Sequence, residues 1–221
     1  EALSKHLKSR HEVERILMNS SVPVTNLRAA MILGAGSASF EMLRYLVDRL
    51  PVMITPRWVS TPCQPISIRN VLDYLEGALE APATVGQTLD IGGTQILTYR
   101  DLIRIYAEEA GLKKRLIIPV PLLTPWLSAK WVHLVTPVPA SIAQPLAEGL
   151  SIPVICRDHR IRSMIPVELI DSRQTIRTAL DRIHQEKVDT CWFDGGGTLP
   201  PEWATCGDAD YAGGTILSDA Y

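Results

Sequence analysis

The apolar residues of this chain switch between a helical period and short extended runs. In residues 3–18, Leu3, Leu7 and Leu17 fall near one stripe with Glu14, and Val13 and Ile16 lie beside it. The other face is rich in Lys, Arg, His and Glu, so the segment predicts a helix ended by Ser20-Ser21. Val22-Pro23-Val24 opens an apolar run that predicts a strand to about Leu33. Phe40, Leu43, Leu46, Val47 and Leu50 then repeat at helical spacing, and Pro51 stops the pattern. Val52–Ile54 predicts a short strand, Pro56–Val59 a loop or edge strand, and Gln64–Ile68 an extended stretch. Val71, Leu72, Leu75, Ala78 and Leu79 predict a third helix, ended by Pro82. Thr88–Ile91 reads as a strand closed by Gly92-Gly93.

Thr98-Tyr99-Arg100-Asp101 has the spacing of a capping box, with Leu102, Ile103, Tyr106, Ala107 and Ala110 as the buried face behind it and Gly111 at its end. Leu116–Pro121 predicts another strand. The stretch Leu122–Leu150 is apolar and Pro-rich, with helical pieces around Trp126–Val135 and Ser141–Leu150. Pro153–Cys156 predicts a short strand, and Ile176, Ala179, Leu180 and Ile183 a last helix over about 172–187. Helices and strands alternating in this way predict an α/β domain with a mainly parallel sheet. Ligands of such a sheet sit beyond the carboxyl ends of its strands, here around Ala29–Gly36, Thr61–Ile68 and Gly92–Thr94.

Composition refines this. The 221 residues are 46% hydrophobic and 21% charged, with a net charge of -2, which fits a globular protein and gives no basic stripe for nucleic acid. No apolar run has the length of a membrane span, and the reading is cytoplasmic. The four cysteines, Cys63, Cys156, Cys191 and Cys206, form no C-x-x-C pair and read as reduced thiols, with a Cys191–Cys206 bridge left open. Cys156-x-x-His159 is an incomplete ligand set, so no metal is expected. No serine lies in a G-x-S-x-G elbow, which argues against a hydrolase. The acidic glycine turns Asp194–Gly197 and Gly207–Asp210 read as turn chemistry. Past Lys187 the composition changes, which places a domain boundary near 187. The chain opens without Met and stops in a strand-like pattern, so a piece of a longer protein is expected.

Gly34-Ala35-Gly36-Ser37-Ala38-Ser39 stands where strand meets helix and approaches the dinucleotide fingerprint G-x-G-x-x-G. Ser39 occupies the third glycine position, and Val52–Val59 carries no acid for a ribose. The turn therefore reads as a strand exit whose following helix is capped by Ser37 or Ser39. His6 and Arg10 lie one turn apart on the first helix, which spacing alone reads as a solvated face.

Residues 3–187 resemble the later half of an extended or atypical short-chain dehydrogenase/reductase. Its kin are the NmrA-like, nucleoside-diphosphate-sugar-epimerase-type proteins, related to the NAD(P)H-binding accessory subunit of respiratory complex I. The resemblance rests on Ser4–Glu14, Val24–Gly34, Gln64–Val71, Asp90–Gly93 and Leu97–Leu102, in that order. Trp192–Gly197, Leu199–Trp203, Gly207-Asp208 and Tyr211–Gly214 resemble the start of a domain of unknown function fused to such proteins. The resemblance implies a partial Rossmann-like doubly wound parallel sheet in 1–187 with a helical substrate-side region, and the start of a second α+β domain in 188–221.

It further implies a cofactor, NAD or NADP with NADP slightly preferred, whose phosphate loop lies outside this chain. The family's Tyr-x-x-x-Lys, in which Tyr shuttles a proton and Lys lowers its pKa and holds the ribose, falls on His6 and Arg10. Arg is not equivalent to Lys here, and an imidazole is shorter than a phenol, so catalysis is expected to be atypical or weak. By the same resemblance Arg28, Ala29, Ala30 and Ile32 border the cofactor, while Trp58, Gln64 and Pro65 flank the substrate. The expected function is an NAD(P)-binding oxidoreductase or epimerase-like protein acting on a small carbonyl, hydroxyl or quinone-like substrate, in a form compatible with an oligomer. The alternative is a non-catalytic NAD(P)-sensing or scaffold protein of the NmrA-like type.

Overall fold

The computed structural model describes residues 5–120, 150, 152–185 and 188. Helix α1 (Lys5–Met18) leads to strands β1 (Asn26–Ala29) and β2 (Ile32–Leu33). The single strand expected to run to Leu33 is thus broken at Ala30-Met31. The reason is a change of partner. β1 pairs in parallel with β6 (Thr88–Ile91), whereas β2 pairs in parallel with β5 (Ile66–Ser67). The Met31 carbonyl, in the break, accepts from the Ile66 amide at 2.9 Å.

Helix α2 (Ala38–Arg49) starts at Ser37, whose hydroxyl accepts from the Phe40 amide at 3.3 Å. Strand β3 (Val52–Pro56) pairs in parallel with β8 (Leu116–Val120). Arg57–Ser60 is a 3-10 turn rather than the expected loop or edge strand. Strand β4 (Pro62–Cys63) pairs antiparallel with β7 (Leu97–Thr98). The remaining helices are α3 (Ile68–Glu80), α4 (Tyr99–Glu109), α5 (Ile161–Met164) and α6 (Ser172–His184). Parallel strand pairs linked through helices make this a partial Rossmann-like α/β fold, as expected.

Two apolar clusters hold the elements. Phe40, Leu43 and Val47 of α2 meet Leu102 and Tyr106 of α4 and Ile176 and Leu180 of α6. Each such side chain, taken out of water, contributes roughly 1.5–3 kcal/mol before the cost of ordering it. The second cluster joins Tyr74 of α3 to Leu89 and Ile91 of β6 and to Ile161 and Ile165. Here α3 turns inward a different face from the one its leucines suggest. Leu72, Leu75 and Leu79 are exposed, while Asn70 and Tyr74 are buried. Asn70 decides the orientation: its amide donates to the Glu168 carbonyl at 2.9 Å and accepts from the Ile170 amide at 2.8 Å. On α1, too, Val13, Ile16 and Leu17 remain exposed.

The capping box of α4 forms, and Gly111 follows that helix with φ +65°. The expected helices around Trp126–Val135 and Ser141–Leu150 lie outside the described residues, Leu150 apart. So do Cys191, Cys206, both acidic glycine turns and the 188–221 module except Val188. Among the described residues no helix is long and apolar enough to cross a membrane.

Candidate functional site

A cavity of about 920 Å³ runs along β1 and reaches the carboxyl ends of β1 and β6, the place where open α/β sheets take ligands. Its size falls in the range of small-molecule sites. Helix α1 contributes Arg10, His11 and Glu14, the end of β1 contributes Arg28, Ala29 and Ala30, and β6 contributes Asp90. Helices α2 and α4 add Met42, Leu43, Leu46, Tyr99 and Ile103, with Trp58 from the 3-10 turn. The segment Ile152–Asp158 completes the wall.

Of the residues expected at the site, Arg10, Arg28, Ala29, Ala30 and Trp58 line this cavity. His6 lies on α1 one turn before Arg10, but its side chain is outside the described residues. Ile32, Gln64 and Pro65 are not among the lining residues. Ile32 is taken up in β2, opposite Ile66. Gln64 is buried, donating to the Gly93 carbonyl at 2.8 Å and accepting from the Cys156 amide at 3.0 Å. The Pro65 carbonyl accepts from the Gly93 amide at 3.0 Å. Gln64 therefore holds the wall of the cavity from behind.

Several lining residues were not singled out from sequence. Asp90 is the junction: its Oδ1 accepts from Arg28 at 2.9 Å, and its Oδ2 accepts from the Arg157 and Asp158 amides at 3.0 and 3.2 Å. An acid at the end of a strand before a glycine pair was the available signal. Glu14, one turn beyond Arg10, ties α1 to β6 by accepting from the Thr88 hydroxyl at 2.9 Å. Tyr99 meets Trp58 edge-on with ring centroids 5.8 Å apart. Burial pushes the Tyr99 phenol far above its ordinary range, and its hydrogen bond to Cys63 pushes it further. Burial likewise raises Cys63 and Cys156, each to about 11. Among the described residues no three His, Cys, Asp or Glu side chains cluster as a metal site.

The glycine turn after β2 does not fit a pyrophosphate. Its Gly36 amide donates to the buried Glu41 carboxylate at 3.2 Å, the Ser37 amide to the Gly34 carbonyl at 3.2 Å, and the Phe40 amide to Ser37. A phosphate there would meet occupied donors and the Glu41 carboxylate, which already pairs with Arg44 at 2.6 Å. Gly34 is needed for contact, since a Cβ would lie 2.6 Å from Ile68 Cγ2.

No protein-family model matches the sequence, and no curated protein matches it. Solved structures do share its fold. A UDP-glucuronic acid 4-epimerase from Bacillus cereus in complex with NAD is 14% identical, with a TM-score of 0.52 over 87% of this chain and 51% of that one. A UDP-glucose 4-epimerase from Thermotoga maritima with UDP-glucose is 12% identical, with a TM-score of 0.55 over 81% and 52%. A nucleoside-diphosphate-sugar epimerase from Staphylococcus aureus is 15% identical, with a TM-score of 0.51 over 76% and 56%. The chain has the fold of these epimerases, and it spans about half the length of each.

Proposed function

We propose that this chain forms the nicotinamide and substrate side of an NAD(P)-binding oxidoreductase or epimerase-like protein of the NmrA-like kind. Its substrate is a small carbonyl, hydroxyl or quinone-like compound, and its catalysis is atypical or weak. The observation that carries the reading is the meeting of Arg10, from α1, with Arg28, Ala29 and Ala30, from the end of β1, at one cavity.

In this reading Arg10 anchors the ribose through its fixed fork of donors. The backbone of Ala29 and Ala30 borders the nicotinamide, which when bound supplies a hydride donor or acceptor. Trp58 borders the substrate, and Gln64 acts on it through the wall it supports at Val154 and Cys156. That the donors of the turn at Gly34–Gly36 are taken supports the reading that pyrophosphate binding falls to residues outside this chain. Residues 188–221 begin a second domain.

The non-catalytic alternative, an NAD(P)-sensing or scaffold role, is supported by Arg10 standing where the resemblance expects a lysine, because a guanidinium is not an equivalent tuned cation.

The test is a fluorescence titration with NADPH of this chain and of a version extended upstream through a glycine-rich strand–helix unit. The extended protein is expected to bind at least about tenfold more tightly, and Arg10→Ala to lose about that factor. Equal affinities would refute the upstream phosphate loop. A His6→Ala variant that leaves substrate-dependent NADPH oxidation unchanged removes His6 from the mechanism.

A further inference from the structure

The cavity divides by chemistry. Its charged lining residues are Arg10, Arg28 and Arg157 against Glu14, Asp90 and Asp158, three of each sign. Most of these charges already have partners. Arg28 pairs with Asp90 at 2.9 Å, and Asp158 pairs with Arg160 at 2.7 Å. Glu14 accepts from Thr88, and His11 lies 3.5 Å from its other oxygen. Among the described residues this leaves Arg10 and Arg157, on separate segments, as the lining cations not paired above, fewer than the several converging donors that a diphosphate takes. The wall from α2, α4 and the 3-10 turn is apolar: Met42, Leu43, Leu46, Trp58, Tyr99 and Ile103. Trp58 and Tyr99 present an aromatic corner within it. Ile152, Val154 and Ile155 add aliphatic surface from the segment that closes the cavity.

We infer that the substrate side of this cavity selects an uncharged, ring-bearing carbonyl compound and discriminates against nucleotide sugars, although proteins of the same fold have been crystallised with UDP-sugars. This rests on the cavity being the substrate site. The ring gains by leaving water against the Met42, Leu46 and Trp58 surface. A nucleotide diphosphate loses its hydration there without enough free donors to replace it. Leu46 on this wall and Ile155 on the closing segment, both half-buried, are the residues that set the preference.

Isothermal titration of the chain with 2-acetonaphthone, 2-naphthoate and UDP-glucose tests the inference. The ketone is expected to bind at least tenfold more tightly than either anion. Leu46→Glu and Ile155→Glu are each expected to weaken it at least tenfold, because a carboxylate then faces the ring. Circular-dichroism melts of both variants identify any that fails to fold, and the other then carries the test. Tighter binding of UDP-glucose, or ketone binding unmoved by a folded variant, overturns the inference. An NADPH titration separates the two readings. Ketone selectivity without NADPH binding by the extended protein sinks the cofactor reading alone. NADPH binding with a preference for UDP-glucose sinks the substrate inference alone.

Discussion

Gly93 shows why a residue type visible in the sequence can have a reason that is not. A Cβ on Gly93 would lie 2.2 Å from the Pro65 carbonyl oxygen, and one on Gly92 would lie 2.5 Å from Cys156 Sγ. These glycines let the backbone after β6 come close to the 62–66 loop and to the cavity wall. Gly86 differs: it has φ +73° and nothing within 4 Å of its Cβ position. Gly93→Ala should therefore cost about 3 kcal/mol by overpacking against backbone, on the order of 10 °C in Tm. Gly86→Ala should cost only about 1 kcal/mol, for the left-handed backbone. Thermal melts of the two variants check the order, and a larger loss for Gly86→Ala would contradict the close-approach argument. The sequence marks Gly92-Gly93 as the end of a strand. Only the tertiary neighbours Pro65 and Cys156 reveal the role, and they are distant along the chain. Gln64 is similar: its position was readable, but its two hydrogen bonds depend on how three segments meet.

At the scale of elements, local signals were the most legible. The capping box at Thr98 and the buried face of α4 were readable because both depend on residues three or four apart. Strand partners were not readable, since β1 and β2 differ in partner though they belong to one apolar run. The inward face of α3 was hidden for another reason. Its exposed leucines outnumber its buried apolar residues, and a polar residue, Asn70, fixes the helix.

The capping box yields a pH prediction. Asp101 accepts from the Thr98 hydroxyl at 2.6 Å and from the Thr98 amide at 3.0 Å, and these bonds lower its pKa. A carboxylate whose folded pKa lies below its unfolded value stabilises the fold above that unfolded value. The contribution is lost as pH falls through the folded pKa. Because the group is a third exposed, its size follows ordinary caps rather than the shift. Asp101→Asn should cost about 0.5–1 kcal/mol at neutral pH, and the gap should narrow as pH falls below the ordinary carboxylate range. Urea melts at pH 7 and pH 3 measure it, and a constant gap would mean that the charge is not the source.

At the scale of the whole molecule, the segment Ile152–Asp158 links the two sides of the cavity to the sheet. The Gln64 amide donates to the Val154 carbonyl at 3.0 Å, and the Gln64 side chain accepts from the Cys156 amide. Asp90 then takes the Arg157 and Asp158 amides on one oxygen and Arg28 on the other. The wall is thus latched at two points that are far apart in sequence. Removing the Asp90 carboxylate deletes both amide bonds at once, each worth about 1 kcal/mol net. The local opening of the segment should then become roughly 10- to 100-fold more frequent, while α4 keeps its packing. Limited trypsinolysis of Asp90→Ala should show faster cleavage after Arg157 with little change after Arg104. Arg104 lies in α4, away from the latch. Cleavage that rises equally at both sites would show a global loss of stability and would remove Asp90 from the role of latch. A Gln64→Leu variant should act in the same direction, because the Cys156 amide then loses its acceptor.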